Sequence, residues 1–278
     1  MWRKRIARHF LIVSVLSMDV LVVRAQVART QFIDRATINQ TDGRVSVYAN
    51  DPRPLDQAIT ALREQYGWIV DYEDPPYGAS DLIDDTDAKW RKAHPDAKGV
   101  TRVAGGAFRA KLTLADDMSS GSGGEQGVLH DLVAEYNASG NPGRFELRRE
   151  SPKRFSAVGT GAGNGDVTPI LDTVITIPVE ERTTIETIRL VLRAISAKSG
   201  YKVDVGTGPI NTVMTSSKIG GQERPAREIL SKLASATPLA LVWAFLYDAD
   251  NAMYFFNLDV ASVLTGDSVR PVVPVPNK

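Results

Sequence analysis

Val45-Ser46-Val47-Tyr48 predicts a short strand, and Pro54 then opens a helix where its missing N–H costs nothing. Along that helix Leu55, Ile59 and Leu62 recur at i, i+4 and i+7, with Ala58 and Tyr66 beside them, giving one apolar stripe to bury. Gly67 stops the helix, and Trp68-Ile69-Val70-Asp71-Tyr72 predicts the next strand. The same rhythm returns later in the chain. Val174-Ile175-Thr176-Ile177 predicts a strand, and Thr183 or Thr184 caps a helix from Ile185 whose stripe is Ile188, Leu192 and Ile195. Gly200 ends that helix before a strand over residues 201–205. A shift of 133 positions lays Leu55 on Ile188, Ile59 on Leu192, Leu62 on Ile195 and Gly67-Trp68 on Gly200-Tyr201. A helix stop, an aromatic residue and a strand in one register predict an internal duplication.

Each half continues with a second passage of strand, helix and strand. In the first it is a strand over 108–114, a helix bearing Val128, Leu129 and Leu132, and a hairpin across 145–147 and 155–158. In the second it is a strand over 212–219, a helix from Pro225 bearing Ile229, Leu230 and Leu233, and a hairpin over 241–258. The first module thus spans 45–158 and carries an insertion, 75–106, that the second module (173–262) lacks. A loop of that length inside a domain is functional or disordered as a rule. Gly159-Thr160-Gly161-Ala162-Gly163-Asn164-Gly165 has the composition of a flexible linker, which we extend over 159–172. The proline-rich end, 263–278, suits an extended polyproline tail.

One strand departs from the ordinary alternation. Leu241, Trp243, Phe245 and Tyr247 alternate with Val242, Ala244 and Leu246, so both faces are apolar, and its partner Met253-Tyr254-Phe255-Phe256 is the same. A sheet covered by helices on one face should be polar on the other. Leaving four large side chains wet would forgo about 1.5–3 kcal/mol each. In sum that rivals the roughly 5–15 kcal/mol stability of a whole domain. The second face must therefore be covered, by the other half, by the tail or by another protein. Trp243, Phe245, Tyr247 and Phe255 are the candidate contact residues.

The run Pro54-Leu55-Asp56-Gln57-Ala58-Ile59-Thr60-Ala61-Leu62 with Gly67-Trp68-Ile69-Val70, and the Ile188 to Ile195 stripe with Gly200-Tyr201, resemble the short N-terminal module of secretins and TonB-dependent receptors. Pro225-Ala226-Arg227-Glu228-Ile229-Leu230-Ser231-Lys232-Leu233 followed by Thr237-Pro238-Leu239 looks like that family's second helix and its exit. The resemblance implies an α+β fold of two related βαβ–βαβ-type modules, each a small mixed sheet with helices packed on one face. It also implies a periplasmic domain that docks onto other envelope proteins and performs no chemistry. No plug, barrel or pore-forming segment is predicted, so gating and transport do not carry over.

The first residues agree with export. Arg3, Lys4, Arg5 and Arg8 precede an apolar run over 10–23 that ends at Val23-Arg24-Ala25, the layout of a secretory signal over 1–25. The run is too short for a spanning helix, which needs about 20 apolar residues, so no membrane span is expected after cleavage. Cleavage removes five basic residues and one acid and turns a formally neutral chain into one of net charge about −4. Zero net charge over the full 278 residues argues against a nucleic-acid binder. The chain has no cysteine, so disulfides, thiolate metal sites and thiol nucleophiles are excluded. An exported chain without disulfides must be held by its core.

No cofactor or metal site is predicted. His94 and His130 lack a second ligand nearby, and zinc needs three or four. Asp81, Asp84, Asp85 and Asp87 fail the EF-hand spacing and read as a solvated loop. Asp248-Ala249-Asp250-Asn251 reads as a hairpin turn stabilised by its own side chains. Arg148, Arg149, Lys153 and Arg154, with Arg144, form a basic hairpin that offers a contact for an anionic polymer, although alternation with Phe145, Leu147 and Phe155 also fits an ordinary solvated sheet face. The expected function is thus an exported envelope interaction module with an envelope protein as partner. The alternative is a carboxylate-dependent hydrolase of a cell-wall or sugar polymer, which requires two acids roughly 5–10 Å apart in a groove.

Overall fold

In the computed structural model, residues 35–41, 43–114, 124–163, 165–209, 213–265 and 268–272 are described. The signal predicted over 1–25 and the last six residues of the tail lie outside them. The first copy runs β1 (Thr37–Thr41), β2 (Arg44–Asn50), α1 (Pro54–Tyr66) and β3 (Ile69–Glu73), then the insertion with β4 (Leu82–Asp84), α2 (Ala88–Ala93) and β5 (Thr101–Val103). It continues with β6 (Ala107–Thr113), α3 (Gly124–Ala138), β7 (Arg144–Ser151), β8 (Arg154–Ala162) and the short β9 (Gly165–Asp166). The second copy runs β10 (Val174–Thr183), α4 (Thr184–Ser199), β11 (Lys202–Val205), β12 (Ser216–Pro225), α5 (Ala226–Ser235), β13 (Leu241–Asp248) and β14 (Met253–Val260), followed by the hairpin β15 (Ser262–Thr265) and β16 (Ser268–Pro271).

Local chemistry sets the helix ends. Pro54 occupies the first turn of α1, and Gly67 closes it in the left-handed conformation at φ 70°. Of the two caps expected for α4 it is Thr183 that serves, in a capping box with Glu186, and Gly200 closes the helix at φ 79°.

Both halves pair their strands alike. In the first copy β2 pairs antiparallel with β6, while β3 lies parallel to β8 and β8 antiparallel to β7. In the second β10 pairs antiparallel with β12, while β11 lies parallel to β14 and β14 antiparallel to β13. The α+β class and the repeated order are therefore as the sequence predicts. The two mixed sheets, however, are not separate. β13 pairs parallel with β3 and fuses them into one seven-stranded sheet, ordered β11-β14-β13-β3-β8-β7 with β9 added on β8.

That fusion explains the strand that is apolar on both faces. Ala244 lies beside Tyr72 and Phe245 beside Glu73, and alternate residues point to opposite faces. Trp243 and Phe245 join the core made with α4 and α5, whereas Ala244 and Leu246 pack against the core made with α1 and α3. The helices of the two copies thus cover opposite faces of one sheet. The second face of β13 is covered by the same chain.

Three expectations need correction. Residues 159–162, read as linker, are the end of β8, and β9 folds back on them through Gly161 and Ala162. Ile170 and Leu171, also placed in the linker, are buried in the second core. The start of the predicted tail is a hairpin, and Val272 exchanges backbone hydrogen bonds with Ala240 and Ala261, because its apolar side chain packs beside Ala240, Val242 and Ala261. The strand predicted over 212–219 instead runs through Gly220 and Gly221, where a side chain at Gly220 would lie 2.5 Å from the Ile177 and Pro178 carbonyl oxygens.

The insertion is built rather than loose. Asp81 is buried and accepts the backbone N–H groups of Gly78 and Gly163, tying the insertion to the end of β8. The Asp250 carboxylate accepts the Thr101 N–H at 3.1 Å, and Lys98 donates to the Asp250 carbonyl. The insertion of the first copy is thereby fastened to the β13–β14 turn of the second.

Candidate functional site

The candidate site is the seam between the copies. The β13–β3 ladder covers two residue pairs, and three acids around β3 extend it with their side chains. Asp71 accepts the Trp243 N–H at 3.1 Å and two bonds from Arg154 at 2.9 and 2.7 Å. Glu73 accepts the Leu171 N–H at 3.1 Å and a bond from Arg227 of α5. Asp74 accepts from Arg53 at 2.6 Å, from the Tyr247 N–H at 2.9 Å, and from the hydroxyls of Tyr72 and Tyr77. Arg227 also reaches Asp172 at 3.1 Å, which in turn holds Arg148 at 2.6 Å.

Burial pushes the carboxyls of Asp71 and Glu73 up, while Arg154 and Arg227 pull them back toward the charged form. For Arg227, burial acts to lower the pKa, but Glu73 and Asp172 outweigh it and hold the guanidinium above its ordinary value. The seam is a buried, paired charge network: Asp71 and Glu73 lie on the face of the sheet covered by the second copy, whereas Asp74 bonds Tyr72 and Tyr77 on the side of the first.

These contacts settle where the candidate residues lie. Trp243 is 1% exposed and Phe245 is fully buried, so neither offers a surface to a partner; both fill the second copy's own core. Tyr247 and Phe255 are half-buried. Arg154, proposed as an anion contact, is buried on Asp71 and its guanidinium lies 5.0 Å from the centre of the Trp243 ring. Arg148 is spent on Glu146 and Asp172, and Arg149 on Gln126 and the carbonyls of Ser151 and Pro152. Lys153 remains exposed. Arg148 and Arg154 therefore serve the seam, because each already holds one of its acids. The acids of the insertion also divide among local tasks: Asp84 pairs with Arg91, Asp85 with Arg102, and Asp87 caps α2. His94 stacks on Trp90, and His130 is exposed beside Asp131. Among the described residues, no three His, Asp or Glu side chains gather in a metal-ligating group.

Beside the seam an open groove of about 620 Å³ runs between α5, which supplies Glu228 and Lys232, and the β7–β8 turn, which supplies Glu150 and Arg154. Burial pushes the Glu150 carboxyl up, whereas the hydrogen bond from Lys232 holds Glu228 below the usual range. Among the described residues no helix is long and apolar enough to cross a membrane. Comparison of the chain with protein-family models, with curated proteins and with solved structures finds no match.

One acid near the seam makes a pH prediction. Asp56, in the first turn of α1, has a buried carboxylate oxygen without a hydrogen-bond partner, and burial pushes its pKa from 3.8 to about 6. A folded-state pKa above the unfolded one means that folding favours the protonated acid, so stability is lost as pH rises from about 4 through about 6. The residue is partly exposed, so we expect Asp56→Asn to gain about 2 kcal/mol at pH 8 and nothing at pH 3. Urea unfolding of both proteins at the two pH values checks this.

Proposed function

We propose that the protein is an exported, non-enzymatic interaction module, periplasmic in location, that docks onto another cell-envelope protein through its 75–106 insertion. One observation carries this reading. Ile83, Trp90 and Val100 are 40%, 40% and 53% exposed, and all three sit on the insertion that the second copy lacks. No residue of α2 is buried, yet the Asp87 cap and the Arg91–Asp84 pair hold it in shape. An ordered element that buries nothing of its own and shows a tryptophan to solvent supports a contact role. The secretory layout of residues 1–25 and the resemblance to the secretin and TonB-receptor module support the envelope setting.

The hydrolase reading would use the groove, where Glu150 and Glu228 both lie. Each acid there already faces cations: Glu150 lies 3.8 Å from Arg227, and Glu228 accepts from Lys232 at 2.8 Å and lies 3.8 Å from Arg224. Carboxylates so engaged favour binding over proton transfer.

A photo-crosslinking residue placed at Ala93 in the chain expressed in its native host tests the proposal. The expected result is a discrete adduct with an envelope protein, lost in the Trp90→Asp variant and absent when the probe sits at Asp131 on α3. Equal labelling from both positions, or a cytoplasmic chain, would refute the docking role.

A further inference from the structure

The outer edge of β6 is an open strand edge. β2 and β6 pair in unbroken register from Arg44 beside Thr113 to Asn50 beside Ala107, and one step beyond it the Leu114 N–H donates to the Gly43 carbonyl at 2.8 Å. Hydrogen-bonded pairs recur at every second residue of an antiparallel ladder, so Leu112, Ala110 and Phe108 turn their backbone groups toward β2. The N–H and C=O groups of Arg109 and Lys111, with those of Ala107 and Thr113 at the ends, therefore point away from it. Among the described residues no strand pairs with that side. Other edges are closed. On β7 the Asn137 side chain bonds both the N–H and the carbonyl of Phe145. On β11 Ser196 takes the Val203 N–H, and Asp204 takes that of Val205. The β10–β12 ribbon is interrupted by two register shifts, and β10 contains Pro178. Prolines, irregular pairing and covering groups keep sheet edges from pairing. β6 has no proline and no register shift.

Side chains decide what this edge accepts. Cross-strand neighbours share a face, so the solvent face of β1-β2-β6 carries Arg44, Arg109 and Lys111 and no acid. Arg109 lies over the ring of half-buried Tyr48, 4.9 Å from its centre. A second molecule of this chain pairing through its own β6 would set these cations against one another, and like charges directly opposed are destabilising. The same cations attract a strand of opposite charge, so they both reject self-pairing and select a partner. We propose that β6 receives an extended acidic segment of a partner protein as a fourth strand. The main chain of the segment bonds the outward groups of Arg109 and Lys111, and its alternate side chains supply the specificity. Side chains on one face of a strand are two residues apart, so two acids at i and i+2 would face Arg109 and Lys111. This contact goes beyond the docking role of the insertion and uses none of its residues.

The test is NMR titration of the full chain with the capped peptide Thr-Val-Glu-Val-Glu-Val-Thr. We expect saturable binding with the largest shifts along β6, and loss of binding when both glutamate amides of the peptide are N-methylated. Lys111→Glu keeps every backbone group and should weaken binding roughly tenfold, because an attractive cross-strand pair becomes a repulsive one. Lys111→Pro removes only an outward N–H, which an edge strand tolerates, and should abolish binding while circular dichroism shows the fold intact. The assignment is overturned if the peptide does not bind, if its lysine-for-glutamate counterpart binds equally well, if the N-methylated peptide binds unchanged, or if sedimentation shows the chain pairing with itself through β6. Trp90→Asp should leave peptide binding unaltered, so failure of the docking role and failure of this edge are told apart.

Discussion

Replacing Arg227 by methionine should destabilise the protein by about 3–5 kcal/mol at neutral pH, the usual cost of removing one partner from a buried ion pair. Arg227 is 4% exposed and holds Glu73, itself 1% exposed, together with Asp172. Methionine fills much of the volume but leaves Glu73 as a buried charge answered by the Leu171 N–H. Its carboxyl is already pushed up by burial, and without Arg227 it rises further. A folded-state pKa above the unfolded value gives stability at low pH that fades as pH rises. The loss in Arg227→Met should therefore be small near pH 4 and large at pH 8. Adding Glu73→Gln should recover a substantial part of it, because the uncompensated charge goes while one acceptor stays. Urea unfolding of the two single variants and the double variant gives the coupling energy. A loss below about 1 kcal/mol for Arg227→Met, the size expected of exposed pairs, would show that the seam is solvated.

The seam also marks where sequence reasoning stops. Apolar periodicity reports which face of an element is buried, and it located α1, α4 and the core strands because Leu55, Ile59 and Leu62 or Ile188, Leu192 and Ile195 each close a core within one copy. It also identified β13 as covered on two faces. It left the cover open between the other half, the tail and another protein, since the core of α1 and α3 that packs on that face belongs to the first copy, far earlier in the chain. A signal was present in Asp71 and Glu73, acids alternating with Val70 and Tyr72 in a core strand. Such alternation reads as a solvated face until a second layer is known to sit on it. The partners that neutralise these acids are Arg154 and Arg227, 83 and 154 residues away, and no local pattern couples them. For the same reason Arg154 read as an anion contact and Trp243 as a contact for either the other copy or a partner, when the two lie against each other. The exposed face of the insertion was illegible for a different cause. Ile83, Trp90 and Val100 sit on three short segments with no shared period, and their exposure follows from how the hairpin and α2 fold together.

Gly159→Ala should destabilise the protein by about 2–3 kcal/mol, the cost of overpacking a site that cannot yield. A β-carbon at Gly159 would lie 2.3 Å from the Pro75 nitrogen, 2.4 Å from its Cδ and 2.9 Å from the Asp74 carbonyl carbon. Relief requires the chain leaving β3 to retreat. That chain is fixed, because Asp74 accepts from Arg53, Tyr72, Tyr77 and the Tyr247 N–H, and donates its own N–H to the Phe245 carbonyl at 2.9 Å. The glycine is thus what lets the start of the insertion cross β8 while remaining tied to the second copy. A flexible linker makes the opposite prediction. There, alanine restricts the unfolded chain and raises stability by about 0.4–1 kcal/mol. Gly106→Ala supplies the control, since nothing lies within 4 Å of a β-carbon at that position and its φ is not in the left-handed region. Thermal or urea unfolding should move in opposite directions for the two variants. If Gly159→Ala instead matched Gly106→Ala in sign, the crossing at Pro75 would be loose, and the insertion would hang from the Asp81 and Asp250 contacts rather than from a rigid seam.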